Sequence, residues 1–221
     1  MHRQSDTGLV GHHVYEAIRR HIIFGRLDAG ARLRLERMKA DYGASVSTIR
    51  EALSKLTSEG LVEAEGQRGF SVAPMSDDDL REIADLRILV ESHALRLSIE
   101  AGDTEWEGAI VAAHHKLHRM EERMEAGDTS VRETWKQYDW EFHQALILAC
   151  GSKALLDVHG KVFDKYLRYQ MRRLTYRGAT AAAEHRGLLA AALDRDIGRA
   201  QAILRTHIEG GVADSLRQAA E

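Results

Sequence analysis

The sequence predicts a mainly α-helical chain in two parts, an N-terminal winged helix-turn-helix followed by an antiparallel bundle of six to seven helices. Three observations carry this expectation. The stretch from Ala44 to Val72 joins a capped amphipathic helix to two short β-prone runs around a glycine-bounded turn. The sole proline, Pro74, comes directly after that stretch and directly before a helix start. Beyond Pro74 the chain reads as long helical stretches separated by short breaks, with no alternation that would mark a strand.

Taken in order, Val10 to Phe24 form a first helix with Val14, Ile18 and Ile22 on one face, and residues 25–30 turn the chain. Leu35 to Tyr42 form a short helix, and Gly43 makes the turn into the next. Ser45 caps that helix, its side-chain oxygen accepting from a free backbone N–H of the first turn. Ile49, Leu53 and Leu56 recur at i, i+4 and i+7 and define the buried stripe. Val46, Ser47, Thr48 and Arg50 are left facing outward near the helix N-terminus, the positions that enter the major groove in a helix-turn-helix. Leu61-Val62 and Phe70-Ser71-Val72 are the wing strands. Gly66-Gln67-Arg68-Gly69 turn between them, and a basic residue at such a tip suits a phosphate or a groove edge. Ser76 then caps a new helix whose first turn carries Asp77, Asp78 and Asp79, where the helix dipole favours negative charge.

The boundary therefore falls at residues 74–76, with a DNA-binding domain over 1–74 and an all-α domain over 75–221. The second part reads as helices over 77–101, 104–126, 129–150, 153–175, 180–193 and 195–218. The first of these has a broad apolar face made by Leu80, Ile83, Ala84, Leu86, Leu89, Val90 and Leu97. The core of such a bundle is a natural cavity for a ligand.

Composition narrows the classes. Net charge is −3 overall, but residues 1–74 carry 11 Lys and Arg against 9 Asp and Glu, while residues 75–221 carry 20 against 25. Positive charge is biased weakly toward the half that would meet DNA. No apolar run approaches the roughly 20 residues a membrane helix needs, and the N-terminus lacks a secretory pattern, so a cytoplasmic protein is expected. The lone Cys150 excludes an internal disulfide and reads as a small buried hydrophobe in an apolar helical run.

At this point the residues resemble a known family. The run from Ile22 through Val72, with I-I-F-G-R-L, G-A-R-L, S-V-S-T-I-R-E-A-L-S-K-L-T-S-E-G-L-V and R-G-F-S-V, resembles the DNA-binding domain of GntR-family bacterial transcription regulators. The second half, entered by D-L-R-I-L-V-E at Asp85 to Glu91, looks like the all-helical ligand-binding (FCD) domain of the FadR subgroup. The resemblance implies that Arg32 or Arg34, Ser45, Ser47, Arg50 and the wing glycine Gly69 fall on DNA-contacting positions; Thr48 and Arg68 join them from the reading above. Two departures stand out. Val46 replaces the usual Arg after the capping Ser, and Thr48 replaces a frequent Pro, so operator sequence does not transfer from other members. The alternative for Arg50 is a surface ion pair with Glu51 or Glu36.

Four residues stand apart among the histidine-rich segments. Asp139 and His143 are i and i+4 on one helix face, and His185 and His207 lie on two later helices. A carboxylate and three imidazoles from three helices suit a divalent ion such as Zn or Ni. Their order resembles the metal-binding version of the FadR-type domain, in which the four are ligands. The alternative is core or surface histidines bonded to carbonyls. His12-His13 and His114-His115 read as solvated, and Glu141 and Glu184 as facing away from the ligands. The resemblance also implies an arginine for a carboxylate effector at Arg87, whose alternative is a surface pair with Glu91. Arg172 and Arg173 are weaker candidates, Arg173 the one retained. Ser152 stands where the family often has Asn; this C-G-S variant looks most like members that govern short-dicarboxylate catabolism.

The expected function is a sequence-specific regulator, most simply a repressor, acting as a homodimer on an inverted-repeat operator of duplex DNA. It would be controlled by a small carboxylate at a metal site, and would not be an enzyme. Two alternatives remain open: a metalloenzyme, and a metal sensor without an organic effector.

Overall fold

The computed structural model of the chain describes residues 3–66, 69–173 and 176–220, the side chains of 3–9 and 219–220 aside. Contacts divide it into two compact units, Met1–Ser76 and Asp77–Glu221.

The first unit contains α1 (Arg3–Ile23), β1 (Arg32–Leu33), α2 (Leu35–Tyr42), α3 (Val46–Ser58), β2 (Val62–Ala64) and β3 (Phe70–Val72). Val14, Ile18 and Ile22 of α1 meet Ile49, Leu53 and Leu56 of α3 in one core, closed by Leu61 and Val72. Each such side chain contributes about 1.5–3 kcal/mol on burial. Gly43, at φ 61°, lets the chain reverse after α2 and return its N–H to the Lys39 carbonyl. The wing is a three-stranded antiparallel sheet in the order β1-β3-β2, with Arg32 opposite Ser71 and Val62 opposite Val72. Three details differ from the sequence reading. The first helix begins earlier, and β1 is an additional strand whose two residues are too short to show alternation. The first wing strand also starts at Val62 rather than Leu61.

The second unit contains α4 (Asp77–Ala101), α5 (Thr104–Glu125), α6 (Arg132–Ile147), α7 (Lys153–Arg172), α8 (Gly178–Leu193) and α9 (Ile197–Ala220). Among the described residues it has six α-helices and no strand. Short 3-10 turns, Thr129–Val131 and Leu148–Cys150, flank α6. Helix α4 packs on α7 and α9, α5 on α6 and α8, and α8 on α9. Asp103 caps α5 through Trp106 N at 2.9 Å, and Ser152 caps α7 through Leu155 N at 3.3 Å. Cys150 is buried.

The face of α4 differs instructively from its expectation. Leu80, Ile83, Ala84 and Val90 are buried, but Leu86 and Leu89 are 43% and 68% exposed. The stripe turned inward instead includes Arg87 and Glu91. No helix among the described residues is long and apolar enough to cross a membrane.

Candidate functional site

In the first unit, the N-terminus of α3 gathers three hydroxyls. Ser45 Oγ accepts from Thr48 N at 3.2 Å and lies 2.7 Å from Ser47 Oγ and 2.9 Å from Thr48 Oγ1. Ser47 and Arg50 are exposed, while Val46 and Thr48 are half-buried. No ion pair joins Arg50 to Glu36 or Glu51 among the described residues, so its guanidinium is available. Arg34 is exposed at the start of α2, and Arg32 is exposed on β1. Gly69 adopts φ 103°, and its carbonyl accepts from Glu65 N at 2.8 Å, closing the wing turn. Arg68 lies outside the described residues.

In the second unit, α6 supplies Asp139 and His143, α8 supplies His185 and α9 supplies His207. One donor atom from each lies within 4.8 Å of the others, and all four residues are buried. The orientation of the rings is set from behind. His143 Nδ1 bonds Glu91 Oε1, His185 Nδ1 bonds Glu121 Oε1 at 2.6 Å, and His207 Nδ1 bonds Glu184 Oε2 at 2.8 Å. An ionised carboxylate only accepts, so Nδ1 of His143 and of His185 carries the hydrogen and a neutral ring presents its Nε2 lone pair to the centre, while His207 Nδ1 also has the Arg177 Nη2 donor 3.1 Å away. There, His185 Nε2 stands 3.2 Å and His143 Nε2 3.9 Å from Asp139 Oδ1. All three atoms are buried without a hydrogen-bond partner. Converging lone pairs around a carboxylate oxygen call for a cation, and the donor set fits a divalent ion of borderline softness.

The electrostatics agree. Burial alone would raise the Asp139 and Glu91 carboxyls, but their cationic and imidazole neighbours outweigh it and hold both well below the usual range. Lys136 leads for Asp139, and Arg87 leads for Glu91. Glu184 is drawn down to about 2, its bonds to His207 and Arg177 overcoming desolvation. Burial pushes His143 and His207 down. His185 moves up, because the carboxylates of Asp139 and Glu121 beside it outweigh its burial.

Arg87 is 1% exposed. Its Nε donates to Glu91 Oε2 at 2.8 Å, and its guanidinium lies over Phe163 and Tyr166. The i, i+4 pair weighed as a surface feature exists, but inside the core. One nitrogen, Nη2, is left without a partner. Arg173 instead ties α7 to Asp77 Oδ1 at 2.6 Å and to the Ser215 carbonyl at 3.2 Å, and does not line the cavity beside the four donors. That cavity is about 10 Å³, room for one ion or water. Its lining includes Trp135, Lys136, Gln170, Arg177 and Gly211. A Cβ on Gly211 would collide with the Tyr166 hydroxyl, and one on Gly210 with the Arg177 guanidinium.

Several participants were not anticipated from the sequence. Glu91, Glu121 and Glu184 orient the imidazoles, and Lys136 and Arg177 border the cavity. Glu184 was expected to face away; it does not, because the His207 ring reaches it from α9. Glu141 does face away, pairing with Lys116 at 3.2 Å. His114, expected to be solvated, is 9% exposed and packs edge-on against Phe142. Burial pushes its pKa down to about 4. His159 is also fully buried, its Nε2 3.1 Å from Glu91 Oε2.

A winged helix-turn-helix together with a helical domain built around such a cluster is the architecture of a DNA-binding transcriptional regulator with a ligand-binding domain. Comparison with known proteins agrees. Residues 11–72 match the family model of bacterial regulatory proteins, gntR family, and residues 82–210 match the FCD domain. The chain is 40% identical over 203 residues to the HTH-type transcriptional regulator BphR of Paraburkholderia xenovorans, covering 90% of this chain and 82% of that one. It is 33% identical to the HTH-type transcriptional repressor GlaR of Escherichia coli, covering 88% and 90%. The solved structure of E. coli McbR/YncC superposes with a TM-score of 0.80 at 20% identity, covering 95% and 98%, a likeness of fold. The chain belongs to the GntR family of regulators, with a C-terminal FCD domain.

Proposed function

We propose that the protein is a metabolite-responsive repressor whose FCD domain holds one divalent ion, Zn or Ni, on Asp139, His143, His185 and His207. The observation that carries this reading is the set of carboxylate contacts at Nδ1 of the three imidazoles, behind four donor atoms that lie within 4.8 Å of one another. Four protein donors leave positions open on an ion that accepts five or six, where a small organic acid can bind. Arg87 supplies the unpartnered Nη2 that would bond that carboxylate. A bound ion would supply a Lewis-acid anchor for the acid, and the chain's own residues would fix its orientation and keep water out.

At the DNA end, Ser45, Ser47, Thr48 and Arg50 meet base edges or phosphates in the major groove, and Arg32, Arg34, Arg68 and Gly69 follow the backbone and groove edge. A homodimer reads an inverted repeat, since two-fold symmetry in the protein matches a palindromic site. The acid shifts operator affinity by its differential affinity for the two states of the dimer.

The test is a gel shift on the protein's own promoter region, with metal content measured on the same sample. One metal per chain, lost in His143→Ala, with binding retained and acid response abolished, is the expected result. A second reading, a metal sensor without an organic effector, draws on the cavity volume of about 10 Å³, which fits the ion alone. Small acids that leave the melting temperature of the metal-loaded protein unchanged would favour it.

A further inference from the structure

We propose that His114, His118 and Glu121 on α5 hold a second divalent transition-metal ion, separate from the four-donor cluster and reached from solvent. The site uses none of Asp139, His143, His185 or His207, and it stands whether or not an organic acid binds at the first.

The three residues share one helix face. His114 and His118 are i and i+4, the spacing at which one helix offers two imidazoles to a zinc ion, and Glu121 follows a turn later. Each contributes an atom that is buried and has no hydrogen-bond partner: His114 Nε2, His118 Nδ1 and Glu121 Oε2. His114 is 9% exposed and Glu121 4%. The large majority of buried polar atoms are paired, so three orphans on one face call for a common partner. An ionised carboxylate oxygen can only accept, and two imidazole lone pairs beside it favour a borderline metal ion over an ammonium or a hard cation.

His118 has the setting of a ligand. Its Nδ1 stands 3.8 Å from Glu121 Oε2, and its Nε2 lies 3.6 Å from Glu122 Oε1 on the other side. The Glu122 carboxylate favours the ring proton on Nε2, which leaves the Nδ1 lone pair toward Glu121. Zinc binds nitrogen and oxygen at roughly 2.0–2.2 Å, so atoms 3.8 Å apart can share one ion. The His114 ring is stacked on that of His118, 11° from parallel with centroids 6.0 Å apart. Among the described residues only the four-donor cluster has every donor within 4.8 Å of the rest. The trio is therefore wider, and closing it takes a turn of the His118 ring. That ring is 38% exposed, which leaves it room to turn and gives an ion its path inward.

Glu121 joins the two sites. Its other oxygen, Oε1, accepts from His185 Nδ1 at 2.6 Å. An ion on Oε2 draws charge from the carboxylate, weakens that bond and makes His185 a poorer donor. The sites therefore oppose each other, and by linkage each lowers the affinity of the other by the same factor. With three donors against four, the α5 site fills only when metal is in excess, after one equivalent has gone to the cluster.

The experiment is calorimetric titration of Zn2+ into the full-length protein already holding one equivalent, near neutral pH. One further, weaker ion per chain is expected. His118→Gln should abolish this second event and leave the first intact. His114→Leu should weaken it at least ~10-fold, the lower end of what losing even a residue behind a ligand costs. His143→Ala, which disables the cluster, should retain the event and bind that ion more tightly, because the opposing ion is gone. Wild type with no second event overturns the proposal. A second event unchanged in both His118→Gln and His114→Leu also overturns it, placing the ion on exposed imidazoles such as His12 and His13. Loss of the event in His143→Ala would overturn it too, by assigning the ion to the cluster. Retention there without any gain in affinity would refute the opposition between the sites.

Discussion

Glu184 precedes His185 by one residue on α8, yet its carboxylate bonds Nδ1 of His207 on α9 at 2.8 Å. Neighbouring helical residues point about 100° apart, so one segment gives the cluster a donor and gives a different donor its orientation. Glu184→Gln is expected to weaken metal affinity about 10–100-fold without removing any of the four donors. Competition against a chelator of known affinity measures it; unchanged affinity would remove Glu184 from that role.

Metal uptake should release a proton from His185. In the metal-free protein its pKa is raised, because Asp139 and Glu121 outweigh burial, so the ring holds its second proton more tightly than a free imidazole and an ion at Nε2 would compete with that proton. Loading therefore weakens as pH falls below that raised value and the proton wins. Titration with metal in two buffers of different ionisation enthalpy counts the proton, and a count of zero refutes the exchange.

His114 predicts an acid limb of stability. Its pKa is pushed down to about 4 by burial, against an ordinary value of 6.5. The unfolded chain takes up this proton first, so stability is full above about 6.5 and declines as pH falls toward about 4. Denaturant melts of metal-free His114→Leu should have a flatter pH dependence across that window than wild type.

Arg50→Ala should weaken operator binding by roughly 1–3 kcal/mol if the guanidinium reads a base, and relax preference at that position. Arg34→Ala should instead weaken all sequences alike and lower the salt slope by about one. Fluorescence anisotropy over a salt series separates the two behaviours.

Ser45→Ala removes the oxygen that accepts from Thr48 N and is expected to cost about 1 kcal/mol of stability. Chemical denaturation of the full chain, following the first unit, provides the check; a change within 0.3 kcal/mol of zero, taken as roughly the additivity error of such measurements, would show the cap to be dispensable.

Legibility in the sequence followed the range of the interactions. Helix α3 was readable because its cap, stripe and outward residues all lie within 13 residues. The four donors were readable in part because Asp139 and His143 share a helix face, with resemblance supplying His185 and His207. Strand β1 was not, since two residues carry no period and only pairing with β3 defines them. Nor were the orienting carboxylates: Glu91 and His143 are separated by 52 residues and Glu121 and His185 by 64, so no local pattern joins them. Arg87 and Glu91 interrupt the apolar stripe of α4, which made Leu86 and Leu89 look like its buried members. Arg173 looked like an effector ligand only because its ion pair with Asp77 spans 96 residues.

The bare backbone at position 211 couples two helices in evolutionary terms. Tyr166 on α7 fills the space where a β-carbon of residue 211 on α9 would stand, while donating its hydroxyl to the Ile208 carbonyl at 2.9 Å. A lineage that acquires alanine at 211 must displace the hydroxyl at 166, and with it the bond to the Ile208 carbonyl that ties α7 to α9. The two positions are therefore expected to change in concert among relatives.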